Sequence, residues 1–395
     1  MSDRAAAVDR RRLTGTTPAA TPRENRDADL LAWARSLPKI DLHRHLEGSL
    51  RLETLRELAQ AHGIQSPPSA DLGELSRFVQ ATNGPWTLRR YLACFTLLRQ
   101  FYVSREAIQR IAREAVEDAA RDNVRYLELR LSPVALARAR GFALAHVLDW
   151  VYEAVDQAEE EWGTRTCLIL QIGRAESFAI ARRIVDLAIE HRGRVVRGID
   201  LAGDEAAFPA DRLAPLFARA RDAGLGVTVH AGEASDMDGP NSIRTAVTGL
   251  AAQRIGHGIR AIEDPSVVRM LRERQITLEV CPTSNLHTGA VRHLAAHPLG
   301  VLLDLGVRAT LASDNPSVSA TTLSDEYQAA AAGMGLGRAS ILRMLRHAAE
   351  AAFIPDEERE WLRRVLREGP TSCRDANEDL QSANERDLPD RWPNP

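Results

Sequence analysis

Eight short runs rich in Val, Ile and Leu alternate with helix-like stretches along this 395-residue chain. They cover residues 39–42, 124–131, 166–172, 196–201, 226–229, 254–255, 277–280 and 308–311. As a set they read as continuous rather than alternating, despite scattered charged residues, as expected for strands buried on both faces of a parallel sheet. Residues 105–121 place Ile108, Ile111, Ala115 and Ala119 at helical spacing, and 143–160, 178–191, 211–223, 241–250 and 265–274 also read as helices. Gly163, Gly193, Gly224 and Gly306 stand just before strands, where a helix needs a terminator. This alternation predicts an α/β fold of the (β/α)8 TIM-barrel type. The long segment 53–123 predicts extra helices inserted after the first strand. An open doubly wound sheet would carry a Gly-rich GxGxxG turn after its first strand, and none is present.

The 51 Lys and Arg residues are balanced by 54 Asp and Glu. A dedicated nucleic-acid binder would carry a basic excess, so that class is disfavoured. No apolar run is long enough to form a membrane-spanning helix. Residues 1–29 lack an apolar core of the secretory kind, and Pro18 and Pro22 are expected to interrupt a transit-type helix. They read as a disordered, solvated N-terminal tail, residues 30–368 as one barrel domain, and 369–395 as a polar C-terminal tail. Cys94, Cys167, Cys281 and Cys373 are widely spaced and form no CxxC pair, which fits a reduced, cytoplasmic setting. Lys39 is the only lysine, so lysine-based chemistry has a single candidate.

The histidines fall where the strands end. His43 and His45 close the first strand, and residues i and i+2 of a strand point the same way. His230 closes the fifth strand, His257 follows the sixth between two glycines, and Asp314 and Asn315 follow the eighth. Catalytic groups of such barrels gather at the carboxyl ends of the strands. Three imidazoles and a carboxylate suit a borderline divalent metal, Zn²⁺ first, so the expected ligands are His43, His45, His230 and Asp314, one ion per chain. Such an ion lowers the pKa of a bound water towards ~7. Glu233, three residues beyond His230, could serve as a general acid if a dry pocket raises its pKa. His257 could polarise or deprotonate the water, bind the metal as a fourth imidazole, or act as a structural donor. His62, His146, His191 and His347 are expected at the surface. His287, His293 and His297 follow the seventh strand; His287 could reach the barrel mouth, and none is assigned a role. Trp86, Leu88 and Phe95 either cap the pocket or pack the inserted helices, with packing favoured.

Several segments together resemble the adenosine deaminase family of metal-dependent amidohydrolase barrels. They are Leu42-His43-Arg44-His45-Leu46-Glu47-Gly48-Ser49, Val124-Arg125-Tyr126-Leu127-Glu128-Leu129-Arg130, Asp200-Leu201-Ala202-Gly203-Asp204-Glu205, Val229-His230-Ala231-Gly232-Glu233, Arg254-Ile255-Gly256-His257-Gly258, Cys281-Pro282-Thr283-Ser284-Asn285 and Ser313-Asp314-Asn315-Pro316. The resemblance runs collinearly over residues 37–327. It implies hydrolytic deamination of a 6-aminopurine, adenosine or 2′-deoxyadenosine first, by hydroxide held on zinc. By the same resemblance Glu233 protonates N1, while His257 and Asp314 orient the attacking oxygen and handle its proton. It places His45, Glu47, Gly203 and Asn315 against the substrate, with the Gly203 amide at N3 of the ring.

The chain departs from the family pattern at two positions. Asn315 stands where many members have a second Asp that contacts N7; an Asn amide can donate there without being protonated. Glu47 stands where adenosine-specific members often have Asp near the ribose 5′-hydroxyl. It matches members acting on adenine or on larger 5′-substituted nucleosides. Adenine, aminodeoxyfutalosine and N6-modified adenine nucleotides are therefore alternative substrates. A two-metal lactonase or phosphotriesterase would use a bridging lysine, for which Lys39, ahead of the first strand, is badly placed. A non-catalytic purine-binding homologue should have lost a ligand or the acid, and none is lost here. The expected partner is a small purine nucleoside or base, not nucleic acid or membrane.

Overall fold

The computed structural model describes residues 22–65, 71–82, 86–193, 195–234 and 237–368. Eight parallel strands pair in chain order: β1 (Lys39–His45), β2 (Val124–Leu131), β3 (Arg165–Gly173), β4 (Val196–Ala202), β5 (Gly226–Ala231), β6 (Arg254–His257), β7 (Thr277–Val280) and β8 (Arg308–Leu311). Just past β8, the Asp314 N–H donates to His43 O and the His45 N–H donates to Asp314 O, each at 2.8 Å. Those bonds bring the last strand back to the first, so the architecture is the expected TIM-type barrel. The strands carry almost no exposed residue, because helices cover their outer faces and side chains fill the interior.

Three helices, Leu52–His62, Leu72–Val79 and Leu88–Leu98, lie between β1 and the long helix Arg105–Arg121. Asp71, Thr87 and Ser104 begin three of the four by accepting a backbone N–H on their side chains. Of these helices, Leu88–Leu98 lines the cavity at the carboxyl end of the barrel, with Leu88, Tyr91, Leu92 and Phe95. Of the three residues expected to cap or pack there, Leu88 and Phe95 line the pocket, whereas Trp86 packs in the core.

Two helices near the C-terminus, Arg338–Ala351 and Asp356–Arg367, flank Phe353, which plugs the opposite end. A Cβ on Gly226 would lie 2.3 Å from the Phe353 ring, so glycine there is a packing requirement. The Arg254 guanidinium stacks 3.6 Å from the centroid of the same ring.

A helix spans Pro22–Ser36, starting inside the segment expected as tail. Pro22 is its first residue, where a missing N–H costs nothing and a fixed φ helps; it starts this helix instead of breaking one. Lys39 Nζ, fully buried, donates to Ala34 O and Leu37 O at 3.0 Å. It ties the end of that helix to β1, at the far end from the histidines. Residues 1–21 and 369–395 of the two expected tails, with Cys373, lie outside the described residues. Among the described residues, no helix is long and apolar enough to cross a membrane.

Candidate active site

The strands run further than their apolar cores suggest, so His43, His45, His230 and His257 all lie within β1, β5 and β6. His43, His45, His230 and Asp314 are buried, and one ligand atom from each lies within 4.8 Å of all the others. His45 Nε2 is 3.3 Å from His43 Nε2, 3.2 Å from His230 Nε2 and 3.2 Å from Asp314 Oδ1.

The outer nitrogens show which face of each ring is free. His43 Nδ1 lies 2.8 Å from Glu279 Oε2 and His230 Nδ1 lies 3.1 Å from Asp200 Oδ1. Those Nδ1–H groups donate outward, which turns two Nε2 lone pairs inward toward a carboxylate. Converging lone pairs repel one another unless a cation sits between them, so the donor set fits a divalent metal. Asp314 Oδ1, buried and without a hydrogen-bond partner among the described residues, points the same way. Gly256 keeps the space open: a Cβ there would meet His43 Cε1 at 2.9 Å.

Buried charges hold the outer carboxylates. Arg130 donates to Glu279 at 2.8 Å, to Asp200 at 3.1 Å and to Leu42 O at 2.7 Å. Burial pushes the Glu279 carboxyl up, but the Arg130 and Arg254 guanidiniums outweigh it and hold the group well below the usual carboxylate range. Asp200 is likewise lowered, burial being opposed by His230 and Arg130. Burial, against the pull of Asp200, lowers His230 to about 4, so its imidazole is neutral and available as a ligand.

His257 and Asp314 adopt left-handed backbone conformations, with φ of 62° and 56°. Non-glycine residues there cost roughly 1–3 kcal/mol each and tend to cluster at functional sites. The strain turns both side chains into the pocket. His257 Nε2 lies 3.5 Å from Glu233 Oε2. Burial first, then the negative Asp314 and Glu205, pushes the Glu233 carboxyl well above its ordinary range.

Those groups form one end of a cavity of about 260 Å³. Glu47, Gly203 and Asn315 line it with His45, along with Tyr91, Leu92, Arg99 and Arg138. Every expected site residue except His43 thus lines this cavity, and His43 belongs to the buried four-residue ligand cluster beside it. Glu47 is fully buried; Oε1 accepts the Ser132 N–H at 2.8 Å, while Oε2 has no partner among the described residues. Gly48 lets Asn315 sit close, since a Cβ there would lie 2.0 Å from Asn315 Oδ1. A larger cavity of about 700 Å³ opens at the Phe353 end, lined by several arginines and none of the clustered ligands.

Sequence reasoning assigned no role to several supporting residues. The Glu205 carboxylate accepts the N–H groups of Gly232, Glu233 and Ala234 at 2.7–2.9 Å and the Ser242 hydroxyl at 2.7 Å, fixing the loop that carries Glu233. Its only sequence signal is its place after Gly203 and Asp204. Asn285 is buried against His257, and His297 is buried in turn against Asn285. His347, expected at the surface, is largely buried: its Nδ1 meets the Ala309 backbone, and burial lowers it to about 4. His287 is not among the residues lining the cavity.

Known proteins share this arrangement. The adenosine deaminase family model matches residues 38–368. Adenosine deaminases of Shigella flexneri and Escherichia coli are each 39% identical over 328 residues, covering 83% of this chain and 97% of theirs. An adenine deaminase structure from Arthrobacter aurescens superposes with a TM-score of 0.77 at 28% identity, over 87% of this chain and 99% of its own. An Arabidopsis N6-mAMP deaminase gives 0.76 at 30% identity, over 85% and 98%. Strand order, buried ligand cluster and sequence match agree: the chain belongs to the adenosine deaminase family of amidohydrolases.

Proposed function

We propose that this protein hydrolyses adenosine or 2′-deoxyadenosine to inosine or 2′-deoxyinosine plus ammonia, with one zinc ion per chain. The observation that carries the reading is Glu233: a dry carboxyl, shifted toward its protonated form, beside His257 and the four-ligand cluster. Bound by His43, His45, His230 and Asp314, zinc would activate a water as the nucleophile.

The remaining chemistry belongs to the side chains. Protonated Glu233 donates to N1 of the purine, which draws electrons from C6 and opens it to attack. His257 and Asp314 orient the attacking water and manage its proton. The Gly203 amide meets N3 and the Asn315 side chain meets N7, fixing the ring in one orientation. His45 and Glu47 border the sugar end. Leu88, Tyr91, Leu92 and Phe95 exclude water from the other face, strengthening each of these polar contacts.

A second reading keeps the chemistry and changes the sugar end. Glu47 Oε2 is buried without a partner among the described residues, and Arg99 and Arg138 line the same cavity. Those groups suit an adenine derivative with a different or larger polar substituent. A substrate panel separates the readings: ammonia release is measured from adenosine, 2′-deoxyadenosine, adenine, AMP and N6-methyl-AMP. Turnover of adenosine with the highest kcat/KM is the expected result. Turnover of adenine alone, or of the nucleotides alone, would overturn the nucleoside assignment.

A further inference from the structure

His257 ends a chain of hydrogen bonds whose first donor is unambiguous. The Leu299 backbone N–H donates to His297 Nδ1 at 3.2 Å. A backbone amide can only donate, so His297 Nδ1 carries no proton and its Nε2 carries the one proton of the neutral ring. His297 is buried, which lowers it to about 4 and keeps the ring neutral. Its Nε2–H faces Asn285 Oδ1 at 3.2 Å, which fixes the orientation of that amide. The Asn285 amide then points Nδ2–H at His257 Nδ1, 3.1 Å away. Asn285 is fully buried, so solvent cannot exchange these roles. His257 Nδ1 is an acceptor, and its single proton sits on Nε2, facing the pocket.

We propose that Asn285 and His297 are positioning residues that lock His257 as the Nε2–H tautomer, so that it holds the attacking oxygen as a hydrogen-bond donor and is not the base. This refines the His257 role in the deamination read above and rests on that reading for its catalytic meaning, but not for the tautomer itself.

The test uses the full-length, zinc-loaded protein with ¹⁵N-labelled histidine. Long-range ¹H–¹⁵N correlation spectra are expected to show His257 protonated at Nε2 and bare at Nδ1. Asn285→Asp replaces the donor with a carboxylate that can only accept, in the same volume. It should move the His257 proton to Nδ1 and lower kcat by on the order of 10²–10³-fold, with zinc content near wild type. His297→Gln, which keeps an N–H facing Asn285, should retain the wild-type tautomer. A His257 found protonated at Nδ1 in the unsubstituted protein would overturn the proposal, whether or not the variants fold. So would a folded Asn285→Asp protein with unchanged kcat. Failure to release ammonia from any 6-aminopurine would count against the deaminase reading alone, since the spectra still report the tautomer.

Discussion

A carboxyl group donates a proton at neutral pH only where its charged form is disfavoured. At Glu233, burial and the neighbouring acids Asp314 and Glu205 supply that condition. Glu205 also pins the backbone beneath it, so position and protonation share one support. Glu233→Gln keeps the shape and removes the transferable proton. Zinc content and affinity for the product nucleoside should stay within about threefold, while kcat falls by roughly 10²–10⁴. Metal analysis, equilibrium binding and steady-state kinetics on the same preparation check this; unchanged turnover would remove Glu233 from the mechanism. The metal cluster was legible in the sequence because each ligand stands at the end of an apolar run. Glu205, Asn285, His297, Glu279 and Arg130 were not legible as a supporting set. Their meaning lies in partners far away in sequence, such as Glu279 on His43, 236 residues apart.

At the scale of elements, the eight strands and the longer helices were readable because their periodicity persists over enough residues. The short helices Pro133–Arg138, Pro282–His287, Pro316–Ser319 and Leu323–Gln328 hold too few turns to show a period. Each instead starts at a proline or a capping threonine. The last carries Glu326, whose carboxyl accepts the Thr283 N–H at 2.9 Å and the Thr321 hydroxyl at 3.0 Å. Burial outweighs those bonds and pushes Glu326 up to about 7 from 4.5. The folded chain therefore binds this proton more tightly than the unfolded chain does. Its stabilising contribution is complete below pH 4.5 and is lost as pH rises through about 7. The change is on the order of 2–4 kcal/mol. Urea unfolding of the wild type and Glu326→Gln across that window should show a flatter pH dependence in the variant. Parallel slopes would show that Glu326 is not the titrating group.

Across the whole molecule, the barrel divides its labour between two ends. At the Phe353 end, Arg254 joins Glu128 and Glu279 while stacking on the plug. Glu279 extends this buried charge network to His43, and Arg130 links it to Asp200 and so to His230. The network is a rigid shell around the ligands, and such outer partners commonly carry ~10–100-fold of metal affinity. The helix Leu88–Leu98, between β1 and β2, lines the cavity at the other end. In the proposed function, four side chains from β1, β5 and the turn after β8 hold one cation on which activity depends. Chelator-treated protein titrated with zinc, with ammonia release from adenosine followed at each addition, tests it most directly. Activity should rise linearly and break at one equivalent per chain. Full activity in the metal-free protein, or a break at two equivalents, would contradict it.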